Sequence, residues 1–69
     1  MSNEHEVEKL LLKPSEAFRA ISIGRSTGYA LIASGKLPSI RIGRAVRVPV
    51  VALKQWVEQQ TKKATDEHL

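Results

Sequence analysis

Ser34-Gly35-Lys36-Leu37-Pro38-Ser39-Ile40-Arg41-Ile42-Gly43-Arg44-Ala45-Val46-Arg47-Val48-Pro49, residues 34–49, is where the chain changes period. Upstream, Gly28, Leu31 and Ile32 recur at helical spacing. Downstream, Ile40, Ile42, Val46 and Val48 alternate with polar Ser39, Arg41 and Arg47. Gly35 supplies the left-handed residue that commonly ends a helix, and Pro38 blocks any continuation. The alternation predicts a β-hairpin with one buried face. Its register depends on the loop. A two-residue loop, Gly43-Arg44, sets Arg41 opposite Val46 and mixes charged with apolar residues on one face. A three-residue loop, Gly43-Arg44-Ala45, pairs Ile42 with Val46, Arg41 with Arg47 and Ile40 with Val48, and keeps the faces separate. The second register is the expected one. It brings Arg41 and Arg47 face to face with Arg44 at the tip, a like-charge crowding best tolerated when an anion fills the space.

Working back toward the N-terminus, Gly24 can cap a helix running from Arg25 to Ser34. Before it, Lys13-Pro14-Ser15-Glu16 opens a shorter helix over about 14–20, with proline and an acidic residue in its first turn and Ala17, Phe18 and Ile21 on one face. Two short helices joined by about four residues with a glycine make a helix-turn-helix arrangement. Phe18 is expected to pack over Gly28, filling the space a larger side chain would take on the second helix. Working forward, Pro49 can open a third helix that carries Leu53, Trp56 and Val57 inward, with Trp56 as a core anchor. Residues 1–9 read as a flexible arm, 10–58 as the folded domain and 59–69 as a polar, frayed tail. The fold class is mainly α with a small β-hairpin: a winged helix-turn-helix in outline.

Charge is distributed unevenly along these elements. The net charge is +4, yet residues 17–54 hold Arg19, Arg25, Lys36, Arg41, Arg44, Arg47 and Lys54 with no acidic residue at all. The flanks are net acidic, with Glu4, Glu6, Glu8 and Glu16 on one side and Glu58, Asp66 and Glu67 on the other. Solvated surfaces ordinarily mix the signs, so a central segment of one sign points to a polyanionic partner.

Size and composition exclude most other roles. A chain of 69 residues buries only about 60% of its unfolded surface and encloses no large substrate cleft. There is no cysteine, hence no disulfide, thiolate metal site or thiol nucleophile. The two histidines, His5 and His68, stand in opposite tails, and the basic segment offers no carboxylate as acid or base, so neither catalysis, a metal nor a cofactor is expected. Only Tyr29 remains as an outward aromatic, too few for single-strand stacking. No apolar run spans a membrane, and the polar, acidic N-terminus is unlike a secretory signal. A cytoplasmic protein is expected.

Leu11-Leu12-Lys13-Pro14-Ser15-Glu16-Ala17 followed by Ile23-Gly24-Arg25-Ser26-Thr27-Gly28-Tyr29-Ala30-Leu31-Ile32 resembles the excisionase-type DNA-binding domains, grouped with the MerR-like winged helix-turn-helix proteins. Ser34 through Arg44 looks like that family's connector and wing, and Val46-Arg47-Val48-Pro49 with Ala52-Leu53 and Trp56-Val57 resembles its closing helix. The likeness covers residues 11 to 57. It implies a non-enzymatic binder of double-stranded DNA, an excisionase or recombination directionality factor of a phage or integrative element that bends an attachment site and assists an integrase. A small transcriptional regulator of a mobile element is the alternative, and a protein-interaction module, suggested by the apolar pair Val50-Val51, a more remote one. Expected partners are duplex DNA, an integrase or other recombinase, and further copies of the chain on DNA, with the protein on the nucleoid. The residues expected at DNA are Arg25, Ser26, Thr27, Tyr29 and Ala30 on the second helix, Lys36 in the connector, and Arg41, Arg44 and Arg47 in the wing.

Departures from the family pattern are local. The family usually has glycine where Ser22 stands, serine where Gly24 stands, a β-branched residue at position 28 and a basic or polar one at position 30. The outward face of the second helix is therefore poor in groups for bidentate base contacts.

Overall fold

The computed structural model describes residues 9–67. The arm expected over residues 1–9 lies, save for Lys9, outside the described residues, as do His5, His68 and Leu69. The order is β1 (Leu11–Leu12), α1 (Pro14–Ala20), α2 (Arg25–Ala33), β2 (Ile40–Ile42), β3 (Ala45–Pro49) and α3 (Val50–Glu67). This is the expected winged helix-turn-helix: three helices and a small antiparallel sheet. The sheet has three strands rather than two, in the order β1-β3-β2. Leu11 pairs with Pro49 and Leu12 with Val48, so β3 is central. Two residues are too short to show a period, which is why β1 leaves no trace in the alternation pattern. Just before it, the Leu10 carbonyl accepts the Val50 N–H at 2.9 Å, tying the entry of the domain to the first turn of α3.

Each short helix is stopped by the same device. After α1, the Ile23 N–H donates to the Phe18 carbonyl (3.0 Å) and the Ser22 N–H to Arg19 (3.2 Å), with Ser22 at φ +60°. After α2, the Lys36 N–H donates to Leu31 (2.9 Å) and the Gly35 N–H to Ile32 (3.0 Å), with Gly35 at φ +79°. These are paired Schellman closures, in which a left-handed residue lets the last carbonyls be satisfied as the chain turns away. Gly35 is the usual occupant. Ser22 holds the same conformation with a side chain, where the family pattern would place glycine.

The α1 N-terminus is fixed by its third residue. Glu16 accepts the Lys13 N–H at 2.9 Å, and its other oxygen pairs with the Lys9 ammonium. The Lys9 hydrogen bond, and then the Lys13 backbone bond, hold the Glu16 carboxyl below its ordinary value.

The core is small. Ala17, Phe18, Leu37, Val48 and Leu53 are buried, with Leu12, Ile21, Ile23, Leu31, Ile32 and Trp56 packed around them. Gly28 is buried too, and the expected contact is present. A Cβ built on Gly28 would stand 2.5 Å from the Phe18 ring, so the ring occupies the space of a side chain. Trp56 is half-buried against the core, in the anchoring role expected of it.

The hairpin register differs from the expectation. Ile42 pairs with Ala45, Arg41 with Val46 and Ile40 with Arg47, leaving a two-residue Gly43-Arg44 loop. Gly43 has φ +62° and Arg44 does not share the positive sign. Glycine with positive φ at the first central position is the pattern of a II′ turn, which matches the strand twist and fixes a two-residue loop. The expectation assumed a buried face along the whole hairpin. Instead β2 is exposed throughout, and burial reaches the hairpin only at Val48. Without burial there is nothing to enforce separate faces, and the turn sets the register.

Helix α3 also runs further than expected. The stretch read as frayed, from 59, continues as helix to Glu67. At 1.5 Å per residue its 18 residues span about 27 Å. In its second half the hydroxyls of Thr61 and Thr65 donate to the carbonyls of Val57 and Thr61 one turn back. Among the described residues no helix is long and apolar enough to cross a membrane.

Candidate nucleic-acid interface

Burial of Gly28 and half-burial of Leu31 and Ile32 set the rotation of α2. The opposite face then carries Arg25, Ser26, Thr27, Tyr29 and Ala30, all exposed. Tyr29 is 47% exposed, and its ring meets Phe18 edge-to-face with centroids 5.0 Å apart. That contact holds the ring against Phe18 while much of the side chain stays open to solvent. Gly24 precedes the helix in extended conformation and offers no side chain to its first N–H groups. The positive end of α2, beginning at Arg25, is thus open to an anion.

The wing follows from the corrected register. Along β3, Val46 and Val48 share one face, and Val48 is buried in the core. Arg41, opposite Val46, therefore lies on the core-side face, beyond the core's edge. Arg47 shares the other face with Ile40, Ile42 and Ala45. Ile40 and Ile42 are 42% and 55% exposed, a pair of open apolar side chains that the one-buried-face reading placed inside. Arg44 is at the turn. The crowding expected of Arg41 and Arg47 does not occur, because a one-residue change of pairing sends them to opposite faces. The three arginines surround the ribbon. Arg41 and Arg44 are exposed, and Arg47 is half-buried with Nη1 donating to the Val46 carbonyl at 2.8 Å.

Lys36 stands exposed directly after α2. Among the described residues the ion pair present is Lys9–Glu16, so none of Arg25, Lys36, Arg41, Arg44 or Arg47 has a carboxylate partner. The structure brings the nine sequence-selected residues onto one helix face, its connector and the wing. A positive, unpaired and largely exposed surface of this kind is built for a polyanion.

Comparison with known proteins agrees with this geometry. Residues 11–61 match the family model described as a helix-turn-helix domain. The chain is 42% identical over 48 residues to a probable excisionase of Saccharopolyspora erythraea, covering 70% of this chain and 49% of that protein. It is 37% identical over 54 residues to an excisionase of Streptomyces ambofaciens, covering 78% of this chain and 87% of that protein. The chain thus spans about half the length of one relative and most of the other. No solved structure matches. With a domain match across most of the chain and a relative matched along nearly its whole length, the protein belongs to the excisionase family of helix-turn-helix proteins.

Proposed function

We propose that the chain binds double-stranded DNA and acts as a recombination directionality factor, binding and bending an attachment site so that an integrase excises a phage or integrative element. The supporting observation is the acid-free surface of α2 and wing, in which five cations have no carboxylate partner among the described residues. Helix α2 enters the major groove by its N-terminal end. There Arg25 reaches guanine or a phosphate, Ser26 and Tyr29 meet the backbone, and Thr27 and Ala30 touch thymine methyls. The wing enters the adjacent minor groove. With Arg41 and Arg47 on opposite faces, each addresses one of the two strands that border the groove, while Arg44 goes in between them. Lys36 adds a phosphate contact. Because α2 has few bidentate groups, site preference rests on the wing, on DNA shape and on copies seated side by side. The protein performs no chemistry itself; the integrase does. It works in the cytoplasm, on the nucleoid.

A salt titration of duplex binding tests this. Four arginines and one lysine neutralising backbone charge, whether on a phosphate or in the groove between phosphates, give a slope of log affinity against log salt of roughly −4 to −5, from about −0.9 for each. A flat response overturns the reading, since an apolar protein interface would give one.

A further inference from the structure

Helix α3 has two working sides. On one, Lys54, Val57 and Glu58 line a groove with Leu12 and Ile21. The other side looks back to the end of α2. There Lys36, Trp56, Gln59, Gln60 and Lys63 border, with Leu31, an open cleft of about 410 Å³. A second hollow of about 280 Å³ adjoins it and shares Lys36, Trp56 and Gln59. Trp56, Gln59, Gln60 and Lys63 recur at the three- and four-residue steps that put side chains on one helical face.

The chemistry of this cleft is uniform. Among the described residues no carboxylate lines it, and Glu58 stands on the opposite side of the helix. Its charges are two ammonium groups from different elements. The Trp56 indole makes no hydrogen bond among the described residues, and no buried side-chain nitrogen or oxygen there lacks a partner, so its N–H opens to solvent. Lysine, carboxamide and indole donors in an open channel suit an extended, repeating anion. An acidic peptide would want apolar pockets for its side chains, and the lining supplies little beyond Leu31 and the Trp56 ring.

We propose that this cleft is a second DNA-backbone site, in which Lys63 and Lys36 hold phosphates of the duplex flanking the segment engaged by α2 and the wing. The proposal deepens the duplex-binding reading and rests on it. It also gives the second half of α3 a purpose. Lys63 lies two residues beyond the stretch 11–61 matched to the helix-turn-helix family.

The test uses the full chain and two duplexes with the same central sequence, one of about one helical turn (~10 base pairs) and one of about three. Lys63→Glu is expected to weaken binding to the long duplex by about ten-fold at moderate salt, and Lys63→Gln to make its salt slope shallower by about one. Neither should change binding to the short duplex, and melting curves should match the parent because Lys63 is exposed. Lys54→Glu makes the same charge change on the opposite side of α3 and should spare both duplexes. Equal losses from Lys54→Glu and Lys63→Glu would reduce the effect to net charge and overturn the proposal, as would an unaffected long duplex. If polyglutamate, and not DNA, distinguishes the parent from Lys63→Glu, the cleft is a protein site and the proposal falls. A parent protein that binds neither duplex instead removes the duplex-binding reading itself.

Discussion

Ser22 and Gly28 look exchanged relative to what their surroundings ask for, and each has a measurable consequence. Ser22 sits at φ +60°, where a side chain costs about 1–2 kcal/mol. Glycine would relieve that strain but adds about 0.5–1 kcal/mol of freedom to the unfolded chain. Ser22→Gly should therefore stabilise by about 0.5–1 kcal/mol, visible as a rise of several degrees in Tm for a domain of this size. Gly28 works the other way. Its missing side chain is replaced by the Phe18 ring, so Gly28→Val overpacks and should destabilise by about 1–3 kcal/mol. Shrinking the ring in the double variant with Phe18→Leu should recover part of the loss; a stabilising Gly28→Val would contradict the contact. This pair is legible in the sequence because a glycine inside an amphipathic helix needs a partner, and Phe18 is the one large apolar residue within Pro14–Ala20 on the facing helix. The strain at Ser22 showed only as a departure from the family pattern, since backbone conformation is not written in a side chain's type.

Among the elements, the helices were readable and the wing was only half readable. Gly35 and Pro38 punctuate α2 and Pro14 opens α1, so both bounds came from local chemistry. The wing's existence follows from alternation, but hydrophobic segregation alone gives the wrong register, because a glycine in the first position of a II′ turn fixes the two-residue loop. The correction changes what its arginines should do. With Arg41 and Arg47 on opposite faces, Arg41→Thr relieves no repulsion and should leave Tm unchanged. Arg47→Thr removes the bond to the Val46 carbonyl and should cost about 0.5–1 kcal/mol. Each should make the salt slope of duplex binding shallower by about one, on cognate and unrelated DNA alike. A double variant with full affinity would show that the wing points elsewhere. Helix α1 carries a different signature. Because the Glu16 carboxyl is held below its ordinary value of 4.5, its stabilising effect is present above that pH and disappears as pH falls through the lowered folded value. Acid melts of the parent should show this loss, and Glu16→Gln should flatten it.

At the scale of the whole molecule, the outline and the charged stretch were legible, whereas β1 and the length of α3 were not. A two-residue strand has no period, and a polar helical extension has no apolar face to announce it. One coincidence remains. Every buried side chain among the described residues lies between Ala17 and Leu53, inside the stretch that has seven cations and no anion. Building the core therefore gathers the positive charge into a shell around it. Salt should then act with opposite signs on the two properties of the protein: added salt raises Tm of the free chain by screening that shell, while it weakens duplex binding through counterion release. Duplex at about one hundred times Kd should raise stability by about 2.7 kcal/mol. A melting series in salt, run with and without duplex, would show the two curves converging as salt rises, and parallel curves would deny the link. On the duplex-binding reading, a molecule off DNA is then the one most open to unfolding and to proteases, and occupancy of duplex sets how long each copy lasts.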